Sequence, residues 1–462
     1  MIRLFKHYIP HAVVLLGLFD IALLMLAGET GWQLRANQIG IDPGPFGARL
    51  WPNAGAGALF LTTMIAVGVY GADSLRSMRF ATARLLVAIS LGVIVISFFN
   101  FIMGSATFWR STLAYTMGLS IVLLVANRLI VGGILGASAF RRRVLVLGAG
   151  PRAQRLRQLG DRPESGFVIV GYIGMNESTQ VVEEAISRTA IHNLKRFVEN
   201  LGVSEVVLAL EERRNSLPLQ DLLRIKTAGV HVNDFSSFIE RETGRVDLDT
   251  VNPSWLIFSD GFSSGRAVSS VAKRAFDITV SLLLLAFTLP LIGIFAVLVK
   301  LDSKGPAFFK QTRVGLYGQP FDLIKLRSMR TDAEANGKAQ FAAENDPRVT
   351  RIGRFIRKVR IDELPQAWSV LLGHMSFVGP RPERPEFVVG LEEQLPFYAE
   401  RHMVKPGITG WAQINYPYGA NLEDSRHKLE YDLYYAKNYT PFLDLLIILQ
   451  TLRVILWHEG AR

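Results

Sequence analysis

Residues 273–304 read KRAFDITVSLLLLAFTLPLIGIFAVLVKLDSK. The apolar run Phe276–Val299 inside this stretch has the length needed to enter a bilayer, where about 20 residues suffice to cross. Its flanks argue against a straight crossing. Lys273 and Arg274 precede it and Lys300 and Lys304 follow it, and positive charge at both ends favours both ends on one face. Pro290 lies near its middle, where it removes a backbone hydrogen bond and bends a helix. We therefore expect a re-entrant helix–break–helix over about residues 274–300, broken at Pro290 and dipping into one leaflet. A fifth straight span is the alternative, since membrane helices tolerate proline.

Upstream, Tyr8–Ala27, Ala54–Gly71, Leu85–Met103 and Leu113–Ile134 are four further runs of near-spanning length. A cleavable leader is the weaker reading of the first, because no small-residue cleavage site follows cleanly and three more runs come after it. Arg3 and Lys6, then Arg76, Arg79 and Arg84, then Arg141–Arg143 mark one side. By the positive-inside rule both ends of this bundle, residues 1–138, face the cytoplasm. A fifth crossing would then export residues 300–462, which again favours the hairpin. Asp20 and Arg128 fall in or near these runs; bundle packing or snorkelling explains them at least as well as chemistry.

Residues 139–262 alternate strand and helix, with strands at Arg143–Leu147, Phe167–Ile173, Glu205–Leu210 and Val230–Asn233 and helices near Ala190–Leu201 and Leu217–Gly229. Such a pattern implies a parallel sheet. Gly148-x-Gly150-x-x-Ala153, between a strand and a helix, matches a dinucleotide turn. No acidic residue ends the second strand, and no Tyr-x-x-x-Lys pair occurs. A Rossmann-like domain without a cofactor, degenerate or regulatory, is the expectation.

The whole chain of 462 residues carries 51 Lys+Arg against 40 Asp+Glu, a net charge of +11, with 49% hydrophobic residues and no cysteine. This composition excludes a disordered chain, disulfides, and cysteine catalysis or ligation. The excess charge calls for a polyanionic partner, and it lies in the first and last thirds, because residues 139–265 are balanced. Nucleic acid fits poorly: the basic residues border membrane runs and no nucleic-acid motif appears.

In residues 263–462 the polar density is high. Lys325-Leu326-Arg327 follows a strand-like Pro320–Ile324. Arg348, Arg351, Arg354, Arg357, Lys358 and Arg360 recur at helical spacing. They run into Asp362-Glu363-Leu364-Pro365-Gln366, and Arg381 and Arg384 come soon after. Two adjacent carboxylates among arginines suit phosphate chemistry. One can attack phosphorus or act as base and the other can hold Mg²⁺, while arginines clamp phosphate oxygens. Helix capping by the acids and anionic-lipid binding by the arginines explain the same residues equally well on chemistry alone.

Residues 270–462 resemble the bacterial sugar transferases, the polyprenyl-phosphate hexose-1-phosphate transferases. The resemblance rests on Lys273-Arg274-x-Phe276-Asp277, Gly305-Pro306-x-Phe308-Phe309-x-Gln311-x-Arg313-Val314-Gly315, Lys325-x-Arg327-Ser328-Met329, Asp346-Pro347-Arg348-Val349-Thr350-Arg351-Ile352-Gly353-Arg354, Asp362-Glu363-Leu364-Pro365-Gln366, Met375-Ser376-x-Val378-Gly379-Pro380-Arg381-Pro382 and Lys405-Pro406-Gly407-Ile408-Thr409-Gly410-Trp411. The membrane helices and Rossmann-like domain in front resemble the large members, including those of exopolysaccharide clusters. The resemblance implies a multi-pass protein of the bacterial inner membrane: a four-helix transmembrane bundle, a Rossmann-like α/β domain and a cytoplasm-facing α/β catalytic domain anchored by a re-entrant helix. It implies that Asp362 attacks the β-phosphorus of a UDP-hexose, releasing UMP, and that undecaprenyl phosphate then takes the sugar phosphate. Glu363 would hold Mg²⁺, and Lys325, Arg327, Arg354, Arg357, Arg360, Arg381 and Arg384 would bind phosphate. Membrane lipids, a homodimer partner and downstream glycosyltransferases complete the expected partners. Two departures stand out: Leu289-Pro290 where Ser-Pro is usual, and Val359-Arg360-Ile361 where Thr-Ser-Leu is commoner. The competing readings are a membrane-bound NAD-dependent nucleotide-sugar epimerase or dehydratase acting through the middle domain, and a non-catalytic assembly scaffold.

Overall fold

The computed structural model of the chain describes residues 2–4, 7–9, 11–70, 78–103, 110–135, 141–162, 165–175, 181–211, 217–251, 267–333, 346–417 and 421–457. The chain divides into two compact units, Met1–Thr243 and Gly244–Arg462.

The first unit opens with four apolar helices, α1 (His11–Ile39), α2 (Phe46–Val67), α3 (Met78–Met103) and α4 (Arg110–Leu135). Each is long and apolar enough to cross a membrane. They form a closed set in which α1 touches α2 and α4, and α3 touches the same two. Leu24, Phe60, Met64, Leu85, Ile89 and Leu124 fill its core. Asp20 is fully buried there and is an ion-pair partner. It accepts from Arg128 Nη2 at 2.7 Å and Nη1 at 3.1 Å, from Asn127 Nδ2 at 2.8 Å and from Tyr70 Oη at 2.7 Å. A buried carboxylate so saturated ties α1 to α4 and has no spare lone pair to offer chemistry.

The α/β part of this unit is a five-stranded parallel sheet: β1 (Arg142–Leu147), β2 (Phe167–Gly174), β3 (Ile186–Ser187), β4 (Glu205–Leu208) and β5 (His231–Asp234), in the order β3-β2-β1-β4-β5. The chain starts in the centre and winds outward to both edges, so helices cover both faces. They are α5 (Pro151–Gly160), α6 (Leu194–Asn200), α7 (Leu219–Thr227) and α8 (Phe235–Thr243). Two apolar clusters, one around Val144, Val146 and Phe238 and one around Leu145, Leu147 and Ile225, follow from the alternation along β1. The helix expected at Ala190–Leu201 starts at Leu194, because Asn193 caps it by accepting from the Arg196 N–H at 3.1 Å.

The second unit begins earlier than the boundary expected at residues 262/263. Val246 and Leu248 are core residues of this unit, Arg245 pairs with Glu430 at 3.1 Å and Trp411 Nε1 donates to the Gly244 carbonyl at 2.7 Å. Its spine is α9 (Ala267–Asp302), one continuous helix with Pro290 inside it. The helix is thus unbroken where a break was expected at Pro290; a proline bends a helix without ending it. Thr288 Oγ1 donates to the Leu284 carbonyl at 2.7 Å one residue before Leu289-Pro290, a back-bond of the kind that bends helices. After α9 come the antiparallel hairpin β6 (Phe308–Val314) and β7 (Pro320–Leu326), α10 (Arg351–Lys358), a 3₁₀ turn at Ile361–Glu363, α11 (Gln366–Leu372) and β8 (Ser376–Val378). The unit ends with α12 (Pro385–Gln394), β9 (Gly407–Thr409) parallel to β8, α13 (Trp411–Asn415), α14 (Leu422–Asn438) and α15 (Pro441–Trp457).

Both ends of α9 are gripped by this same unit. Near its start, Lys273 Nζ reaches Asp444 at 2.6 Å and the Val378 carbonyl at 3.0 Å, and Arg274 donates to the Val370 and Leu371 carbonyls that end α11. Buried Asp277 accepts from Ser376 Oγ and the Phe377 N–H. At its far end, Asp302 accepts from the Ile352 N–H at 3.0 Å. Ile292 and Val299 pack between these points with Leu326 and Ile356.

Candidate active site

The local sequence explains how the acidic pair is presented. Thr350 caps α10 by accepting from the Gly353 N–H at 3.0 Å. Gly353 lies so close to the Ser328 carbonyl that any side chain there would collide with it. The helix is only eight residues long, with Ile352 and Ile356 turned to α9. Arg360 then takes the left-handed conformation, φ 60° and ψ 18°, which is uncommon for a residue with a side chain. After that reversal a 3₁₀ turn presents Asp362 and Glu363 just before α11, while Ile361 and Leu364 on either side of them are drawn into the α9 core.

Adjacent in sequence, the two carboxyls acquire opposite proton affinities. Asp362 is 8% exposed; burial first, and the Glu363 charge second, push it up to about 6. Its Oδ1 is buried without a hydrogen-bond partner among the described residues. Burial would also raise Glu363, but Lys325, Arg381 and Arg360 outweigh it and hold the group down at about 2. Lys325 Nζ donates to Glu363 Oε1 at 3.1 Å and Arg360 Nη1 lies 3.6 Å from the same oxygen. Desolvation lowers Lys325 itself. One acid is thus a locked anion, and the other sits close to its proton, the split that acid–base and nucleophilic sites exploit.

The expected phosphate-binding residues divide. Lys325, Arg357, Arg360 and Arg381 surround the pair and act on its charge. Arg354 is exposed on α10. Arg384 approaches Glu386 at 3.9 Å and lies over the Phe387 ring. Arg327 is a correction. It is 4% exposed, and it donates to the Lys304 and Ser303 carbonyls, both at 2.7 Å, and to Ser303 Oγ at 2.9 Å. It therefore closes the C-terminal end of α9. The single arginine-rich helix face is corrected too: Arg348 precedes α10 and pairs with Asp346 at 2.6 Å, and Arg360 follows its end.

Sequence reasoning missed the supports of Arg381. Four successive carbonyls of its loop are each held by a donor: Pro380 by the Gly407 N–H at 2.9 Å, Arg381 by Arg401 Nη2 at 3.0 Å, Pro382 by Arg313 Nη1 at 2.9 Å and Glu383 by the Val314 N–H at 3.0 Å. Arg401 is itself fixed by Asp432 at 2.7 Å and by Tyr398 Oη at 3.0 Å. Arg313 belongs to a stretch already singled out, whereas nothing in the spacing links Arg401 to Asp432.

Among the described residues no three acidic or histidine side chains gather as a ready metal cage. The pair still fits Mg²⁺, which is commonly held by one or two carboxylates together with substrate phosphates. Glu363 offers the metal a carboxylate held anionic, which leaves the unpartnered oxygen of Asp362 free.

A buried carboxylate ringed by cations, on a unit built around a helix apolar and long enough to enter a membrane, suits the class of membrane-associated proteins that handle phosphate. Comparison narrows the class. A family model described as bacterial sugar transferase matches residues 268–458, and one described as CoA-binding domain matches residues 65–226. The chain is 44% identical over 241 residues to the UDP-N-acetylgalactosamine-undecaprenyl-phosphate N-acetylgalactosaminephosphotransferase of Aeromonas hydrophila, covering 52% of this chain and 56% of that protein. It is 34% identical to the undecaprenyl-phosphate glucose phosphotransferase of Komagataeibacter xylinus, covering 69% and 60%. It is 32% identical to the UDP-glucose:undecaprenyl-phosphate glucose-1-phosphate transferase of Xanthomonas campestris pv. campestris, covering 74% and 73%. The chain belongs to the bacterial sugar transferase family. It spans somewhat over half the length of the first two of these relatives.

Proposed function

We propose that the chain transfers a sugar 1-phosphate from a UDP-sugar to undecaprenyl phosphate in the bacterial inner membrane, as a first step of exopolysaccharide or related glycan assembly. The observation that carries this reading is the split of the acidic pair: Asp362 buried, raised to about 6 and unpartnered at Oδ1, beside Glu363 held anionic by Lys325, Arg381 and Arg360.

Above pH 6 Asp362 is an anion without a full solvation shell, which suits a nucleophile. Its oxygen attacks the β-phosphorus of the UDP-sugar, the bond from that phosphorus to the bridging oxygen breaks, and UMP leaves. An oxygen of the lipid phosphate then attacks the same phosphorus and returns the carboxylate, giving a polyprenyl-diphosphate sugar. Lys325, Arg360 and Arg381 offset the charge that builds on the phosphate oxygens. Mg²⁺ held at Glu363 would neutralise part of the diphosphate charge. The relatives' names divide between glucose and N-acetylgalactosamine, so the donor class is UDP-hexose or UDP-N-acetylhexosamine. A UMP-release screen across UDP-sugars, in nanodiscs containing polyprenyl phosphate, tests the reading. One sugar should release UMP, and Asp362→Asn should abolish that release; full activity in the variant removes Asp362 as nucleophile.

Two features support a re-entrant α9 and a cytoplasmic catalytic unit: the basic flanks of the helix, and the grip of one compact unit on both its ends. The α/β part of the first unit reads as Rossmann-like from its strand order. Its glycine turn is buried, and the Ala149 carbonyl in it accepts from the Val181 and Val182 N–H groups. A supporting role without a dinucleotide fits that closure. Binding of NAD to the purified chain, measured by calorimetry, would overturn it.

A further inference from the structure

A groove of about 770 Å³ lies where α9 ends and β6 begins. Ala296 and Val297 of α9 form one wall and Phe308 and Phe309 of β6 the other, with Lys300 and Lys310 also lining it. The wall is apolar and open: Val297 is 58%, Phe308 42% and Phe309 44% exposed. Neither lysine forms an ion pair among the described residues. Apolar walls with unpaired cations beside an apolar helix suit an amphiphile that has a hydrocarbon chain and an anionic head.

The register of the hairpin ties this groove to the chemistry. Phe309 stands directly opposite Lys325 across the β6–β7 ladder, and directly opposed residues share a face. Lys325 Nζ is 3.1 Å from Glu363. Phe308 and Lys310, one residue to either side, turn to the opposite face, so the groove wraps the free edge of β6, a single strand away from the acidic pair. A bulk phospholipid has no use for such a route, and an acceptor lipid does.

We propose that this groove loads the acceptor. The isoprene units next to the head lie between α9 and β6, and the phosphate rests between Lys300 and Lys310 before it passes the free edge of β6 towards Lys325. This assignment rests on the sugar-phosphate transfer proposed above. Its test uses the full chain in phosphatidylcholine nanodiscs with polyprenyl phosphate and the preferred UDP-sugar. The double variant Lys300→Glu/Lys310→Glu, and separately Val297→Trp, which fills the groove from an exposed position, should raise KM for polyprenyl phosphate about tenfold and leave KM for the UDP-sugar unchanged. Unchanged KM for the lipid overturns the groove, as does an equal rise for both substrates. A defect in the lysine variant that appears only when phosphatidylglycerol is added assigns the lysines to bulk anionic lipid and also overturns it. Native mass spectrometry of retained polyprenyl phosphate needs no turnover. Wild type should retain the lipid and both variants should lose it; equal retention sinks the groove even where UMP release itself fails.

Discussion

Asp362 carries a cost that the proposed role of nucleophile would explain. A buried carboxyl raised to about 6 favours its protonated form in the folded state. Its contribution to stability is full below the ordinary aspartate range and is lost as pH rises through 6. At pH 8 the folded wild-type protein therefore holds a poorly solvated anion that Asp362→Asn does not. The variant should match wild type in stability near pH 3 and exceed it at pH 8, by an amount on the order of 1–3 kcal/mol, while its activity is lost. Equal melting temperatures at both pH values would show that the Asp362 environment is not what raises its proton affinity. For the wild type, UMP release should climb with pH through about 6 as the nucleophile ionises. A rate flat from pH 5 to 8 would contradict that assignment. Glu363 should not titrate in this window, since its cations hold it near 2. The identity of this pair and of Lys325 and Arg381 was legible from motif and chemistry. Their opposite proton affinities were not, because burial and the distances to three cations come from segments far apart in the chain.

Arg327 and Arg401 separate at the scale of elements. Lys325-x-Arg327 has the alternation of a strand and invited one role for both residues. The ladder stops at Leu326, however, and the Arg327 side chain turns to the carbonyls ending α9. Arg327→Met should therefore destabilise the protein by about 2–4 kcal/mol through lost donors to buried carbonyls, with activity per folded molecule retained. A folded, stable variant without activity would return Arg327 to the phosphate site. Arg401 is the reverse case, invisible as chemistry and central as support. It joins the Arg381 carbonyl to Asp432, which lies on α14. Arg401→Lys keeps the charge and loses the fork that serves both partners at once. We expect kcat/KM to fall roughly tenfold to a hundredfold through a shifted Arg381, measured on the folded fraction. An unchanged value on that fraction would leave Arg401 a purely structural residue. No periodicity connects residues 401 and 432 in sequence, so only the packed unit reveals the pair. The strands and helices around them were better marked, since β7, α11 and α14 follow alternation, a proline and an Asn421 cap that the chain itself carries.

For the molecule as a whole, the unresolved choice in the sequence was whether Phe276–Val299 crosses the bilayer or returns. A straight helix over Ala267–Asp302, at about 1.5 Å per residue, would reach about 54 Å, well beyond a hydrocarbon core of about 30 Å. Its start is held by Val378, Asp444 and the end of α11, and its finish by Ile352 and Arg327. A spanning helix would have to place those two sets of partners on opposite sides of the membrane, although they belong to one compact unit. Charge read from sequence pointed the same way, yet it could not show that the helix stays continuous through Pro290. The chain has no cysteine, so single cysteines report topology without background. Val271→Cys in the first turns of α9 and Lys304→Cys just past its end flank the apolar run at exposed positions, and Asp42→Cys lies in the loop between α1 and α2. With a membrane-impermeant maleimide on intact spheroplasts, Asp42→Cys should label, and the two flanking cysteines should label only after permeabilisation. Labelling of either flanking cysteine before permeabilisation would make α9 a true span and place the two halves of the catalytic unit on opposite faces. The grip on both helix ends would then have to break in the membrane.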